Sequence, residues 1–282
     1  ASRTDPKSYA EYAELLWQLA ARYGSVVHRN EDLRVSKESR WSGDTPQPKI
    51  TGKGWVKYME PWNENRKWWK GAPGTNEHFS AAETAAMMST CYDGHCNTLG
   101  SKVGIKNADP KMIVVMPGLT DCDPKYIQDM DAWFKVNRKD KKWPCDVFNF
   151  HWYNNKGSKA GVYPPTWQEN GACLPTEDKS LPDFLWVKDF CKNVLKIPFW
   201  CTETGVDTVK PSPMAHPNGE QGQIEYAIET FEFYKQHGVE RVFFYHITDE
   251  PGFADGGLYE SAGIYSSEGT GLKPKPIVAA LK

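Results

Sequence analysis

Pro198-Phe199-Trp200-Cys201-Thr202-Glu203 is an apolar run that ends on a carboxylate and opens into Thr204-Gly205. Asp146-Val147-Phe148-Asn149-Phe150-His151-Trp152-Tyr153, upstream, has the same form and leads into a Gly/Pro-rich loop at 154–180. Short, nearly continuous apolar runs bounded by turn residues are the mark of strands buried on both faces, as in parallel sheets. Working outward, helical patterns over 181–195 and 220–237 flank the first run. Arg241-Val242-Phe243-Phe244-Tyr245-His246-Ile247 reads as the next strand. On the N-terminal side Met112–Pro117 reads as a strand followed by a helix at 124–137, and Trp55–Glu60 as a strand followed by a helix at 80–103. Strand and helix alternate five times, which places the chain in the α/β class with helical crossovers between parallel strands.

A helix is also expected over 6–23, with Asp5 as N-cap, Pro6 at its first position and Gly24 at its end. Tyr9, Tyr12, Leu16, Leu19 and Tyr23 recur there at helical spacing and predict one apolar stripe. Residues 25–53 are polar, contain Pro46 and Pro48, and read as an irregular insertion; a last short helix is expected at 274–281. A closed barrel has eight strands. Five are read here and the chain opens on a helix, so the expected fold is a (β/α)8 TIM barrel whose first three strand–helix units precede this sequence. An open five-stranded α/β sheet is the alternative. Residues 1–282 are read as one catalytic barrel domain.

The 34 basic and 36 acidic residues leave a net charge of −2, without the basic surplus of a nucleic-acid binder. No apolar run approaches the roughly 20 residues needed to cross a bilayer. Neither nucleic acid nor membrane is therefore expected as a partner. Twelve tryptophans are present, many beside Gly, Pro, Asn or charged residues, where flat rings can stack on the C–H faces of sugars. The seven cysteines include no CxxC pair; Cys91 and Cys96 bracket a short segment that suits either a disulfide loop or two reduced thiols.

The decisive chemical signal is a pair. Trp62-Asn63-Glu64 and Thr202-Glu203-Thr204-Gly205 each place a glutamate after an apolar strand. The C-terminal strand ends of a parallel barrel form one rim, and two strand units separate these two, so the glutamates would face each other across its mouth. Cleavage of a glycosidic bond needs two such groups, one protonated and one ionised.

In this pattern the sequence resembles clan A retaining glycoside hydrolases, and among them family 39, the β-xylosidase and iduronidase group. Arg22-Tyr23-Gly24 followed by a strand into Trp62-Asn63-Glu64 resembles that family's third helix and fourth strand. The likeness implies that Asn63 binds a sugar 2-hydroxyl and Glu64 is the acid/base. His151-Trp152-Tyr153 is similar to the His-x-Tyr ending the sixth strand, which implies that Tyr153 hydrogen-bonds the nucleophile. Glu203 matches the seventh-strand nucleophile, and Lys273-Pro274-Lys275-Pro276 resembles the opening of the last barrel helix. The resemblance runs through nearly the whole chain in the correct order. It departs at the eighth strand, where the clan often has a Trp and this chain has Tyr245-His246 with Asp249-Glu250 beyond.

The expected function is retaining hydrolysis of a β-glycosidic bond in an oligosaccharide or polysaccharide, with no cofactor, in a secreted or periplasmic setting. Glu64 and Glu203 are the catalytic candidates; Trp62, Asn63, Trp68, His151, Tyr153 and His246 are the substrate-binding candidates. Of Trp68 and Trp69, one is expected to be a stacking platform and the other core, while Asp249 and Glu250 are expected to be solvated or bonded to substrate. Two other readings compete: a carbohydrate-binding protein with an inactive barrel, and a metal-dependent hydrolase using Asp93, His95 and the nearby cysteines.

Overall fold

The computed structural model describes residues 2–36, 38, 41–45, 47–250, 252, 258–267 and 271–281. Pro46, one of the breakers in the insertion, lies outside the described residues. The chain is α/β and divides into two compact units, Ala1–Pro117 with Tyr126–Val147, and Gly118–Lys125 with Phe148–Lys282. No helix among the described residues is long and apolar enough to cross a membrane.

In the first unit the Asp5 side chain accepts a hydrogen bond from the Lys7 N–H, and a 3-10 turn at Pro6–Tyr9 leads into α1, Ala10–Tyr23. The buried face of α1 is Ala13, Leu16, Trp17, Ala20 and Ala21, which shares only Leu16 with the predicted tyrosine–leucine stripe; Leu19 is 38% exposed. Side-chain size explains the rotation. Alanines let neighbouring backbone come close, as where the Gly104 N–H donates to the Ala13 carbonyl, and Trp17 alone fills the depth. Tyr9 and Tyr12 pack at the margin of that cluster. Gly24 ends the helix in an extended conformation, its N–H donating to the Ala20 carbonyl.

β1, Tyr58–Met59, covers only two residues of its predicted strand, toward its end, and Trp55 at the start is 70% exposed. α2, Ala81–Asn97, starts with a capping box in which Ser80 accepts from the Glu83 N–H and Glu83 accepts from the Ser80 N–H. The helix predicted over 80–103 instead breaks at Asp93–Cys96, where Gly94, His95 and Cys96 all have positive φ. Asp93 causes the break locally: its carboxylate takes the Cys96 N–H, which a continuing helix would have donated to a main-chain carbonyl. A short α3, Ile105–Ala108, follows. β2, Ile113–Val114, pairs parallel with β1. α4, Pro124–Asn137, coincides with its predicted bounds, and from Tyr126 onward it belongs to this unit.

The second unit is built on β3, Phe148–His151, which is buried at every position. α5, Leu181–Phe190, leads from it to β4, Phe199–Thr204. α6, Gly219–Gln236, then leads to β5, Arg241–Phe244. The three strands form one parallel sheet in sequence order, β3-β4-β5, with helical crossovers as the alternation predicts. Aromatic rings join sheet to helices: Phe150 stacks on Phe199 at 4.4 Å between centroids and Trp152 on Phe184 at 4.9 Å. A feature absent from the sequence reading closes the unit, an antiparallel pair of β6, Tyr265–Ser266, and β7, Lys273–Pro274, before α7, Pro276–Ala280.

None of the seven cysteines is in a disulfide, so Cys91 and Cys96 do not form a disulfide loop. Cys91 faces the core, and burial pushes its thiol far up.

Asp109 ties the end of α3 to the turn after α1. It is nearly fully buried, and burial alone would raise its pKa. Hydrogen bonds from the Ser25 N–H and hydroxyl and the Lys111 N–H outweigh that and leave it depressed. A carboxylate depressed on folding adds stability above its unfolded pKa of about 3.9 and loses it as pH falls through the folded value. We expect Asp109→Asn to cost about 2 kcal/mol at pH 7. In urea denaturation the gap from wild type should close progressively below about pH 4; a gap that stays constant into strong acid contradicts this account.

Candidate active site

Glu203 stands where β4 carries an extra residue. Along the β3 edge Phe150 pairs with Cys201 but His151 with Glu203, so Thr202 has no partner of its own. Along the β5 edge the pairing jumps likewise, from Cys201–Val242 to Thr204–Phe244. A bulge of this kind bends the strand and re-aims the side chains beside it. The polar groups it loosens are retied by side chains. The Asn149 amide donates to Thr202 Oγ1 at 2.7 Å, and the Thr202 N–H donates back to Asn149 Oδ1 at 3.1 Å.

The Glu203 carboxylate then meets two groups of β3 and its extension. The Tyr153 hydroxyl donates to Oε2 at 3.0 Å, and His151 Nδ1 lies 3.4 Å from the same oxygen. The other ring nitrogen, Nε2, is 3.0 Å from Thr202 Oγ1, which fixes the imidazole from both sides. Asn149 and His151 are fully buried and Tyr153 nearly so, while the Glu203 side chain keeps 21% of its surface. The carboxylate is thus reachable by a ligand and its supports are not. Beneath it the Cys201 thiol donates to the Glu203 carbonyl, and burial pushes that thiol up to about 12, so it remains protonated. Thr204 donates to the Trp152 carbonyl and meets the Tyr226 hydroxyl, whose pKa burial also raises.

His246 follows β5. Its ring stacks on Tyr245 at 4.3 Å, with Nε2 3.2 Å from the Tyr259 carbonyl and Nδ1 4.0 Å from Glu250. Asp249, whose side chain is 14% exposed, accepts from the Lys275 ammonium at 2.7 Å and the Gly263 N–H at 3.0 Å, while Glu250 is exposed.

In the first unit Glu64 comes shortly after β1 and is half-buried with φ 51°. A left-handed non-glycine backbone costs about 1–2 kcal/mol. It turns the chain so that the next residue, Asn65, drops fully into the interior, where its carbonyl accepts the Phe79 N–H. Asn63 is exposed beside it. Trp62 packs at the core margin, edge-on to Tyr12 at 5.3 Å and tilted against Phe79 at 6.3 Å. Trp68 and Trp69 stand edge to face at 5.1 Å, but neither is core; Trp68 is half-buried and Trp69 is 48% exposed.

The metal reading meets an occupied cluster. Potential ligand atoms of Asp93, Cys96 and Asp140 lie within 4.8 Å of one another. Yet the fully buried Arg138 guanidinium already binds Asp93 at 2.8 and 3.1 Å and Asp140 at 2.9 and 3.0 Å. His95 turns its Nδ1 to Ser89 Oγ instead. A cavity of about 680 Å³ in the second unit is lined by Lys192, Lys196, Pro198 and Glu240, at the opposite end of β4 from Glu203.

Sequence reasoning missed Asn149, Thr202 and Gly118. A polar Asn inside Phe148-Asn149-Phe150 was a visible signal, since a polar residue in a doubly buried strand must have a partner.

No family model matches the chain, and no curated protein matches it either. Solved structures do. The structures it is similar to are glycoside hydrolases. They include a family 39 enzyme from the gut symbiont Bacteroides cellulosilyticus WH2, at 16% identity and a TM-score of 0.49 over 79% of this chain and 39% of that one. Xylanase 10B from Thermotoga maritima matches at 18% identity and a TM-score of 0.41, over 63% of this chain and 48% of its own. A β-glucosidase from Exiguobacterium marinum matches at 13% identity and a TM-score of 0.45, over 79% of this chain and 63% of its own. The chain therefore spans well under half the length of the family 39 enzyme it matches.

A methyl group at Gly118 would strike the His151 imidazole. Gly118→Ala is expected to displace that ring and cost about 1–3 kcal/mol by overpacking. Urea denaturation and the ring resonances of His151 in an NMR spectrum check both; an unmoved ring contradicts the packing described.

Proposed function

We propose that this chain belongs to a (β/α)8 barrel, acting as one catalytic domain that hydrolyses a β-glycosidic bond with retention of configuration. The observation that carries the reading is the Tyr153 hydrogen bond to Glu203 on the far side of the bulge. A phenol O–H directed at a carboxylate oxygen favours its ionised, nucleophilic form.

In the first step a Glu203 oxygen attacks the anomeric carbon while Glu64, as the acid, protonates the departing glycosidic oxygen, and the leaving group departs as an alcohol. A glycosyl ester on Glu203 results. In the second step Glu64, now a carboxylate, removes a proton from water, which attacks the same carbon and frees Glu203. Two inversions give net retention. This requires the two carboxyl groups to stand about 5–5.5 Å apart in the working enzyme.

Asn63, exposed next to Glu64, suits a sugar hydroxyl, and the half-buried Trp68 with the exposed Trp69 suits stacking on a pyranose face. His151 acts by holding Glu203 and Thr202 rather than by touching sugar. His246, at the end of β5 and bonded to the Tyr259 carbonyl, and Trp62, next to Asn63 in sequence and packed at the core margin, complete the set of sugar-binding groups in this reading. An oligosaccharide or polysaccharide substrate fits this reading, as does an extracellular or periplasmic setting; no cofactor takes part in the scheme.

Glu203→Ala should reduce turnover of a 4-nitrophenyl β-glycoside on the order of 10³-fold or more. Added azide should restore part of it as a glycosyl azide of inverted configuration. Glu64→Ala should slow substrates with poor leaving groups about 10²–10⁴-fold and nitrophenyl substrates far less, because only a poor leaving group needs the proton. Product NMR on the wild type should show the retained anomer first; an inverted first product, or both variants at wild-type rates on an unactivated glycoside, would refute the scheme.

A further inference from the structure

We propose that Tyr259 is a positioning residue for the Glu203 carboxylate, clamped by the buried carboxylate of Asp207 and acting through the ring of Tyr153. The inference rests on the proposed role of Glu203 and adds to it a residue from a distant loop.

The clamp is built from buried polar groups. Asp207 is fully buried and accepts four hydrogen bonds: from Ser212 Oγ at 2.6 Å, Tyr259 N–H at 2.8 Å, Ser261 N–H at 3.1 Å and Ser261 Oγ at 3.2 Å. Ser261 Oγ in turn accepts the N–H groups of Thr208 and Val209. Lys275, 5% exposed, reaches the Ser261 carbonyl and Asp249, both at 2.7 Å. The loop after β4 is thereby tied to residues 259–263. A buried network with every member bonded is stiff, since loosening one member strands the others without partners.

Tyr259 is held at both ends of its own backbone. Its N–H goes to Asp207, its carbonyl oxygen lies 3.2 Å from His246 Nε2, and its φ of 63° is left-handed. That conformation aims the ring at Tyr153, 4.8 Å between centroids, and at Tyr245, 5.6 Å. Tyr245 meets Tyr153 edge-on at 6.5 Å, so two rings support the third. Tyr153 is the ring whose hydroxyl donates to Glu203 at 3.0 Å. A phenol free to swing would spend that hydrogen bond part of the time on water. Wedged by Tyr259, it keeps one rotamer, and the carboxylate oxygen keeps its aim. Productive geometry in such sites tolerates only about 0.5 Å of drift.

The test is a double-mutant cycle with a 4-nitrophenyl β-glycoside, supported by crystal structures. Tyr259→Ala should lower kcat about tenfold with KM within about twofold, because placement of the reacting group is lost and substrate affinity is not. Tyr259→Phe should recover most of the rate, since the ring and not its hydroxyl does the wedging. In a Tyr153→Phe background the loss on Tyr259→Ala should shrink below about twofold, because the path to Glu203 is already cut. Equal fractional losses in both backgrounds overturn the proposal. So does a crystal structure of Tyr259→Ala with Tyr153 Oη still hydrogen-bonded to Glu203 Oε2. If Tyr259→Ala does not fold, Asp207→Asn, which replaces with an NH2 one of the two carboxylate oxygens that accept the Tyr259 and Ser261 N–H groups, is expected to loosen the clamp and give the same kinetics and the same structural change. A wild-type chain that turns over no glycoside counts against the glycosidase reading; the crystallographic distance then decides the positioning role by itself.

Discussion

Strand β4 is hydrogen-bonded along both edges, and this constraint governs the second unit. A strand with a free edge can absorb an extra residue by fraying. β4 cannot, so Thr202 is accommodated by a bulge expressed on both ladders at once. The consequence is directional: the side chain following the extra residue leaves the sheet at a fixed angle beside the end of β3. The polar atoms thus displaced lie against the buried end of β3 and need partners, and Asn149, His151 and Thr202 supply them to one another. Stability and chemistry are joined here, because the same bonds that repair the sheet also immobilise the imidazole next to Glu203.

The layers around that sheet serve the same end by different means. On the inside, rings of Phe150, Phe184 and Phe199 pack face to face or tilted, giving dense contact with few rotatable bonds. At the strand ends the packing changes character, from apolar rings to a network of carboxylate, ammonium and hydroxyl groups around Asp207 and Lys275. The rings set the distance between sheet and helix, and the network sets the loops. In the first unit Arg138 plays the comparable part, drawing Asp93 and Asp140 together beside the break in α2.

Much of this was legible in the amino-acid order. Periodicity gave α4 its bounds and located the cores of five strands, most plainly β3, whose burial at every position leaves an apolar run. It also brought Tyr153 and Glu203 to adjacent strand ends, where they do meet. Other features were not legible, for identifiable reasons. The stripe on α1 was misplaced because hydropathy ranks Leu19 above Ala13, whereas close helix packing favours the smaller residue. The break in α2 turns on which partner the Asp93 carboxylate takes, the Cys96 N–H, and hydropathy does not register that choice. The bulge leaves no mark in a run such as Trp200-Cys201-Thr202-Glu203, since register is a property of pairs of strands. Tyr259 lies in a segment without periodicity, and only its approach to Tyr153 reveals its part. The pair β6–β7 is too short to produce a pattern.

Seven thiols outside any disulfide, most of them deep in the packing, have a further consequence for the life of the molecule. Folded, they are shielded from oxidants; once the chain opens, all become available together, with no native pairing to guide them. Air oxidation of the opened chain then forms cross-links that the native packing cannot admit, and each such event removes a molecule from the refolding pool. Durability in an oxidising medium is therefore set by how rarely the structure opens rather than by how favourable its equilibrium is.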